Sequence, residues 1–209
     1  MSTLGPCKPF LQKYFIECRG VIHAGAWRGT EIAEYVDCGF DHIAMFEPQS
    51  RCFESLENAR RNHPIATIHK VALGDTNSKM TMNICNEFDM TSSLLNPSEL
   101  FYNSNLPQRE AWVTEEVDVH RLDDYTEINH SDYNVLVMDT QGYELHVLRG
   151  AVDTLENIDI IFTEINKEAL YDGSALIDEL DIFLTSQGFI REDTSWGGGI
   201  WGDAIYLKK

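Results

Sequence analysis

Short apolar runs alternate with longer stretches of helical spacing along this chain, and that alternation restricts its fold more than any other feature of the sequence. A run that is apolar at consecutive positions, and not at every second one, has to be covered on both faces. Parallel strands lying between two layers of helices are in that situation, and they must be joined by crossover segments long enough to be helices. The pattern predicts strands over 20–24, 42–46, 66–72, 135–138 and 158–163, with helices over 30–38, 50–61, 143–155 and 174–186. Residues 135–138 and 158–163 are the most apolar and belong at mid-sheet. Helix 174–186 gathers Leu176, Ile177, Leu180, Phe183 and Leu184 on one face and ends before Gly188. Two last strands, 189–191 and 204–207, follow a Gly-rich turn between them. The fold class is α/β.

Charge narrows the partners. With 34 acidic against 16 basic residues the formal net charge is -18, while 43% of the 209 residues are hydrophobic. The second figure requires a packed core, and the first disfavours general nucleic-acid binding and anionic membrane surfaces, where Lys and Arg must displace counterions. The length suits one domain over 1–209, with 1–19 as an N-terminal extension. Between 86 and 114 the periodicity fails and Asn, Ser, Pro and Glu dominate. A stretch of that length inside a compact domain is expected to be a lid or binding loop, the alternative being a surface insertion. Cys7, Cys18, Cys38, Cys52 and Cys85 are odd in number and form no Cys-x-x-Cys pair, as free thiols in a reducing compartment would. No apolar run reaches the ~20 residues of a bilayer span, and Met1 to Pro9 lacks a cleavable leader pattern, so a cytoplasmic chain is expected.

The richest segment is the turn after the first strand, where His23, Gly25, Ala26, Trp27, Gly29 and Thr30 lead into a helix. Backbone N–H groups at such a turn favour a polar or anionic ligand. The dinucleotide fingerprint wants a second glycine where Trp27 stands, whose bulk argues against a bound pyrophosphate and hence against an NAD-linked enzyme. Glu47 closes the second strand 22 positions after Gly25, with Pro48 behind it. At that spacing a carboxylate accepts from a ribose diol. Ala72, Leu73 and Asp75 end the third strand, where an adenine amine would be met, and Asp139, Gln141 and Glu144 follow the fourth. Strand ends converging on one edge of a sheet make a nucleoside-type pocket.

These residues resemble the FkbM-type family of S-adenosylmethionine-dependent methyltransferases. The match runs in order through the turn of His23, Gly25, Ala26 and Gly29, then Phe46-Glu47-Pro48, Ala72-Leu73-Gly74-Asp75, Arg121-Leu122-Asp123, and the block from Met138 to Gly150. It covers about nine tenths of the chain. The resemblance implies a Rossmann-like class I methyltransferase fold, with a seven-stranded, mostly parallel sheet, an antiparallel last strand and helices on both faces. It implies S-adenosyl-L-methionine as cofactor, held by the first-strand turn including Trp27 and Thr30, by Glu47 and Pro48, by Ala72, Leu73 and Asp75, and by Asp139. Ser92 and Ser93 resemble a Ser-Ser found there in relatives and are expected to close over the cofactor, the alternative being ordinary loop serines. Many members carry Asp, Asn and Glu where this chain has His23, Trp27 and Gln141.

Methyl transfer from a sulfonium is an in-line displacement, for which orientation alone supplies ~7–11 kcal/mol. Asp139, Gln141 and His23 are the catalytic candidates, Asp139 either as base or as anchor of the amino group of the methionine moiety. Gln141, Glu164, Asn166, Tyr171, Trp201 and Asp203 are the candidates for contact with the acceptor, expected to be a saccharide or small-molecule hydroxyl. Asp139, Glu164 and Asn166 also offer oxygens for a metal-assisted attack by a diol, although the seven histidines have no ligand spacing and the expected metal content is none. A non-catalytic cofactor-binding module acting through a protein partner is the other alternative.

Overall fold

The computed structural model describes residues 7–103, 108–197 and 199–209; the expectations that touch 1–6, 104–107 and Gly198, and the side chain of Cys7, lie outside the described residues. In chain order the strands are β1 (Gly20–Ala24), β2 (His42–Phe46), β3 (Ala66–His69), β4 (Ala72–Leu73), β5 (Ser78–Cys85), β6 (Trp112–His120), β7 (Val135–Met138), β8 (Ile160–Asn166), β9 (Phe189–Trp196) and β10 (Trp201–Lys208). The helices are α1 (Cys7–Lys13), α2 (Ile32–Cys38), α3 (Ser50–Asn62), α4 (Glu99–Tyr102), α5 (Glu144–Arg149) and α6 (Ile177–Ser186). A seven-stranded sheet runs β3-β2-β1-β7-β8-β10-β9. Its pairs are parallel except those made by β10, which is antiparallel to both β8 and β9.

Alternation along the strands sorts the core into two layers, because successive side chains leave a strand on opposite faces. Val21, Ile43, Met45, Val135, Val137, Ile160 and Phe162 meet Leu11 of α1, Ile32 and Tyr35 of α2 and Leu56 of α3. Ile22, Ala44, Phe46, Leu136, Met138, Ile161 and Ile165 meet Val147 and Leu148 of α5 and Leu180 and Leu184 of α6. Each large aliphatic side chain so enclosed contributes about 1.5–3 kcal/mol. β7 and β8 are buried along their whole lengths at mid-sheet, as their composition requires. No helix among the described residues is long and apolar enough to cross a membrane.

Several elements differ from the sequence-based expectation. The strand expected over 66–72 is two strands in different sheets: β3 leaves β2 after Glu47 N–H donates to His69 O at 3.1 Å, since Pro48 has no N–H to continue the ladder. Ala72–Leu73 then pairs with β6 in a second sheet, ordered β4-β6-β5, which was not anticipated. Its signal was legible as alternation, Met80, Met82 and Ile84 on β5 and Val117 and Val119 on β6, four of which are buried. The expected helix 143–155 stops at Arg149, and a single 3-10 turn, Thr154–Asn157, follows. The last two strands are longer than expected, because they support one another as a hairpin. The stretch 86–114 is irregular only in part, containing α4 and the start of β6.

Gly150, which follows α5, packs that helix's C-terminal end against the ends of β4 and β6 in the second sheet. A methyl group there would lie 1.8 Å from Gly74 O and 3.3 Å from the Arg121 Cα, both backbone atoms that have no rotamer through which to yield. Gly150→Ala is expected to lower stability by at least the ~1–3 kcal/mol of an overpacked site, seen as a lower urea midpoint with an unchanged slope. An unshifted midpoint would show that the end of α5 does not bear on the second sheet here.

Candidate active site

The carboxyl ends of β1, β2, β7 and β8 open into a cavity of about 360 Å³. Its first wall is the turn after β1. Gly25 has φ +81, and a methyl group on it would fall 2.0 Å from Asp139 O, so the β1 and β7 turns touch backbone to backbone and only glycine fits. Trp27 also has a positive φ, 46°, a conformation that costs a bulky residue about 1–3 kcal/mol. Its backbone N–H donates to Glu47 Oε2 at 2.8 Å, and Gln49 N–H donates to Glu47 Oε1 at 2.8 Å. Glu47 is buried, and burial pushes its carboxyl up to about 8 in spite of these donors.

The second wall is a carboxyl pair. Gln141, at φ 56°, extends one amide nitrogen between Asp139 Oδ1 at 2.7 Å and Glu164 Oε2 at 2.8 Å. Asn166 Nδ2 donates to the other Glu164 oxygen at 3.3 Å. Burial first, and repulsion within the cluster second, hold the Glu164 carboxyl well above the usual carboxylate range, and burial raises that of Asp139 as well. Glu144 lies behind this wall: its Oε1 accepts from Thr140 N and Oγ1 at 2.9 Å and from Gly142 N at 3.2 Å, which fixes the loop that carries Gln141. His23 completes the floor, with Nδ1 2.9 Å from Tyr35 Oη, and burial lowers its pKa below 6.5.

The third wall comes from the stretch 86–114. Asp89 accepts from the Trp27 indole at 2.8 Å and from Arg28 at 2.7 Å, while its backbone carbonyl accepts from Gln49 at 3.1 Å. Ser93 Oγ donates to Gln141 O at 2.8 Å, and Tyr171 Oη donates to Thr91 O at 2.6 Å. Met90, Thr91, Ser92 and Leu94 thereby line the cavity, joined by Phe101 of α4.

Of the residues singled out from sequence, His23, Gly25, Trp27, Thr30, Glu47, Pro48, Ala72, Leu73, Asp139, Gln141, Glu164, Tyr171 and Trp201 line this one cavity. Six do not. Ala26 is buried in the core. Gly29 leaves room for Leu56 and Ile32, whose methyl groups lie 2.6 and 3.0 Å from where its Cβ would be. Asp75 turns its carboxylate to His146, 2.7 Å away, and so departs from the expected adenine contact. Ser93 acts through Gln141, Asn166 through Glu164, and Asp203 stands opposite Glu164 in the β10–β8 register. Missed from sequence were Glu31, Gln49, Met82, Met90, Thr91, Leu94, Phe101, Thr140, Tyr143 and Leu170. Gln49 and Tyr143 were within reach, lying next to motifs already noted; Phe101 and Leu170 carry no local signal.

The Methyltransferase FkbM domain matches residues 22–191. The chain belongs to this methyltransferase family. Among curated proteins it is similar to the 2-O-methyltransferase NoeI of Sinorhizobium fredii, 27% identical over 178 residues that span 78% of this chain and 68% of NoeI. Among solved structures it is similar to Sp1610 of Streptococcus pneumoniae, in complex with S-adenosyl-L-methionine, at TM-score 0.52 and 13% identity over 90% of this chain and 65% of that one. It is also similar to the magnesium protoporphyrin IX methyltransferase ChlM of Synechocystis PCC 6803, at TM-score 0.53 and 8% identity over 99% of this chain and 78% of that one. Identities this low establish a shared fold, the Rossmann-like methyltransferase fold. The chain spans just under two thirds of Sp1610. As an FkbM methyltransferase it uses S-adenosyl-L-methionine.

The cavity fits that cofactor better than a dinucleotide. Trp27 N–H, which a pyrophosphate would need, is engaged by Glu47, and no Lys or Arg lines the cavity among the described residues, whereas Glu31, Glu47, Asp139 and Glu164 do. Burial favours the protonated form of Glu47, Asp139 and Glu164, and a sulfonium or an ammonium beside them offsets that by drawing out the ionised form, whereas a phosphate does not. Gln49 Oε1, buried in the same wall, has no donor among the described residues and is open to one from a ligand. No group of three or more His, Cys, Asp or Glu among the described residues is arranged to hold a metal ion, and Asp139 Oδ1 and Glu164 Oε2 face an amide N–H in place of a cation.

Burial of these acids makes stability fall as pH rises. Glu144 has its pKa raised from 4.5 to about 7, so between those values the folded chain holds a proton that the unfolded chain has released. Glu144→Gln keeps the accepting oxygen and removes the titration. Thermal unfolding between pH 4.5 and 7 is therefore expected to show a shallower loss of stability in the variant than in the parent, and parallel curves would mean that Glu144 does not contribute.

Proposed function

We propose that this chain transfers the methyl group of S-adenosyl-L-methionine to a hydroxyl oxygen of a saccharide or similar neutral polyol. The observation that carries the reading is the lining of the cavity: carboxyls and the aromatic rings of Phe101, Tyr171 and Trp201, with no cation among the described residues. Hydroxyl donors and the apolar faces of sugar rings suit such a wall, and an anionic acceptor does not. Similarity to a protein named as a 2-O-methyltransferase supports the choice of oxygen.

When bound, the cofactor supplies a methyl group on a positively charged sulfur. Glu47 and Gln49 are suited to accept from its ribose hydroxyls, and Leu73, Met82, Leu94 and Tyr143 to flank its purine. Asp139 would hold the amino group of the methionine moiety. His23, whose pKa burial lowers, would in the tautomer that donates from Nδ1 to the Tyr35 oxygen carry a lone pair on Nε2 to take the acceptor's hydroxyl proton, and Asp139 would favour the imidazolium that results. Glu164 and Trp201 contact the acceptor, and residues 89–94 act as the lid that keeps water from the reacting atoms.

Incubating the protein with S-adenosyl-L-methionine and a panel of neutral, phosphorylated and amino sugars should yield S-adenosyl-L-homocysteine with neutral sugars only. Conversion confined to phosphorylated acceptors would overturn the reading, and binding without any conversion would favour a non-catalytic module. Glu47→Ala is expected to weaken S-adenosyl-L-homocysteine binding by ~1–3 kcal/mol, measured by calorimetry. Asp139→Asn should lower turnover while moving the unfolding midpoint little; unimpaired turnover would remove it from the site.

A further inference from the structure

We propose that Tyr171 is a positioning residue, whose hydroxyl couples closure of the 89–94 segment to the Asp139–Glu164 pair through the Gln141 amide. The inference rests on the reading that this cavity takes the cofactor. A side-chain amide presents nearly the same shape at its oxygen and nitrogen ends, so its contacts decide which end points where. Here both N–H groups of Gln141 are spent on carboxyls, at 2.7 and 2.8 Å, and its oxygen is left for Tyr171 Oη, 3.1 Å away. That phenol has one proton and two acceptors, the second being Thr91 O at 2.6 Å on the covering segment. One hydroxyl thus reads the position of the cover on one side and supports the amide on the other.

Tyr171 is 1% exposed, so water does not substitute for it. Without that hydroxyl the half-buried Gln141 oxygen keeps no donor among the described residues, and the amide orientation that supports ionised carboxyls loses its advantage. The other charged or titratable groups facing the pair are His23 on β1, Glu31 before α2, Glu144 on α5 and Asp203 on β10. The Tyr171 hydroxyl is hydrogen-bonded to Thr91 and Gln141.

Tyr171→Phe retains the ring that packs against Phe101 at 5.4 Å between centroids. Binding of S-adenosyl-L-homocysteine would be titrated across pH in the parent, Tyr171→Phe, Gln141→Met, the double variant, and Ser93→Ala, which loosens the cover but spares the phenol. Tyr171→Phe should bind about 3- to 10-fold more weakly, dissociate faster, and show the pH midpoint of binding displaced upward. That displacement should vanish in the Gln141→Met background, and Ser93→Ala should speed dissociation with the midpoint in place. A parental pH profile in Tyr171→Phe, or the same displacement with Gln141 replaced, would overturn the coupling. A parent chain that binds no S-adenosyl-L-homocysteine would overturn the cofactor reading itself, and the inference with it.

Discussion

Carboxyl groups can be buried only where N–H or O–H groups meet them, and the working end of this sheet is organised around that requirement. Glu47 is met by the backbone at Trp27 and Gln49, Glu144 by Thr140 and Gly142, and Asp139 and Glu164 by the amide of Gln141, with that of Asn166 on the other Glu164 oxygen. Each of these contacts also fixes a turn. The left-handed backbone at Trp27 and Gln141 is the conformational cost, offset by hydrogen bonds to carboxyl groups, which are worth more than those to neutral acceptors.

The same contacts tie the cover to the floor. Asp89 is gripped by Trp27 and Arg28, Ser93 by Gln141, and Thr91 by Tyr171, so the segment over the cavity is anchored on the residues that form its walls. A chain with a net charge of -18 thereby concentrates acids around a cavity suited to a cationic cofactor. Attraction for a sulfonium and rejection of phosphates follow from one distribution of charge.

Local pattern carried much of the architecture. β1, β2 and β7 begin and end where apolar runs meet Gly, Pro or polar residues, and the helices that cover them show the expected apolar face. The second sheet was missed because β5 and β6 alternate, in keeping with strands buried on one face, and β4 is only two residues long. At the site, glycines and strand-end acids were legible because a turn or a ligand demands those residue types. Phe101 and Leu170 were not, since an apolar residue that lines a cavity resembles one that fills a core.

By itself the sequence determined the layered α/β order, the acidic edge and the family to which the chain belongs, since each is written in periodicity or in residues close together along the chain. Tertiary structure alone decided that Asp75 turns to His146, that Glu144 braces a loop, and that Gln141, Tyr171 and Thr91 form one chain of hydrogen bonds. These partners come from strands, loops and a cover distant in sequence, and which donor reaches which oxygen depends on distances that appear only once the sheet is assembled.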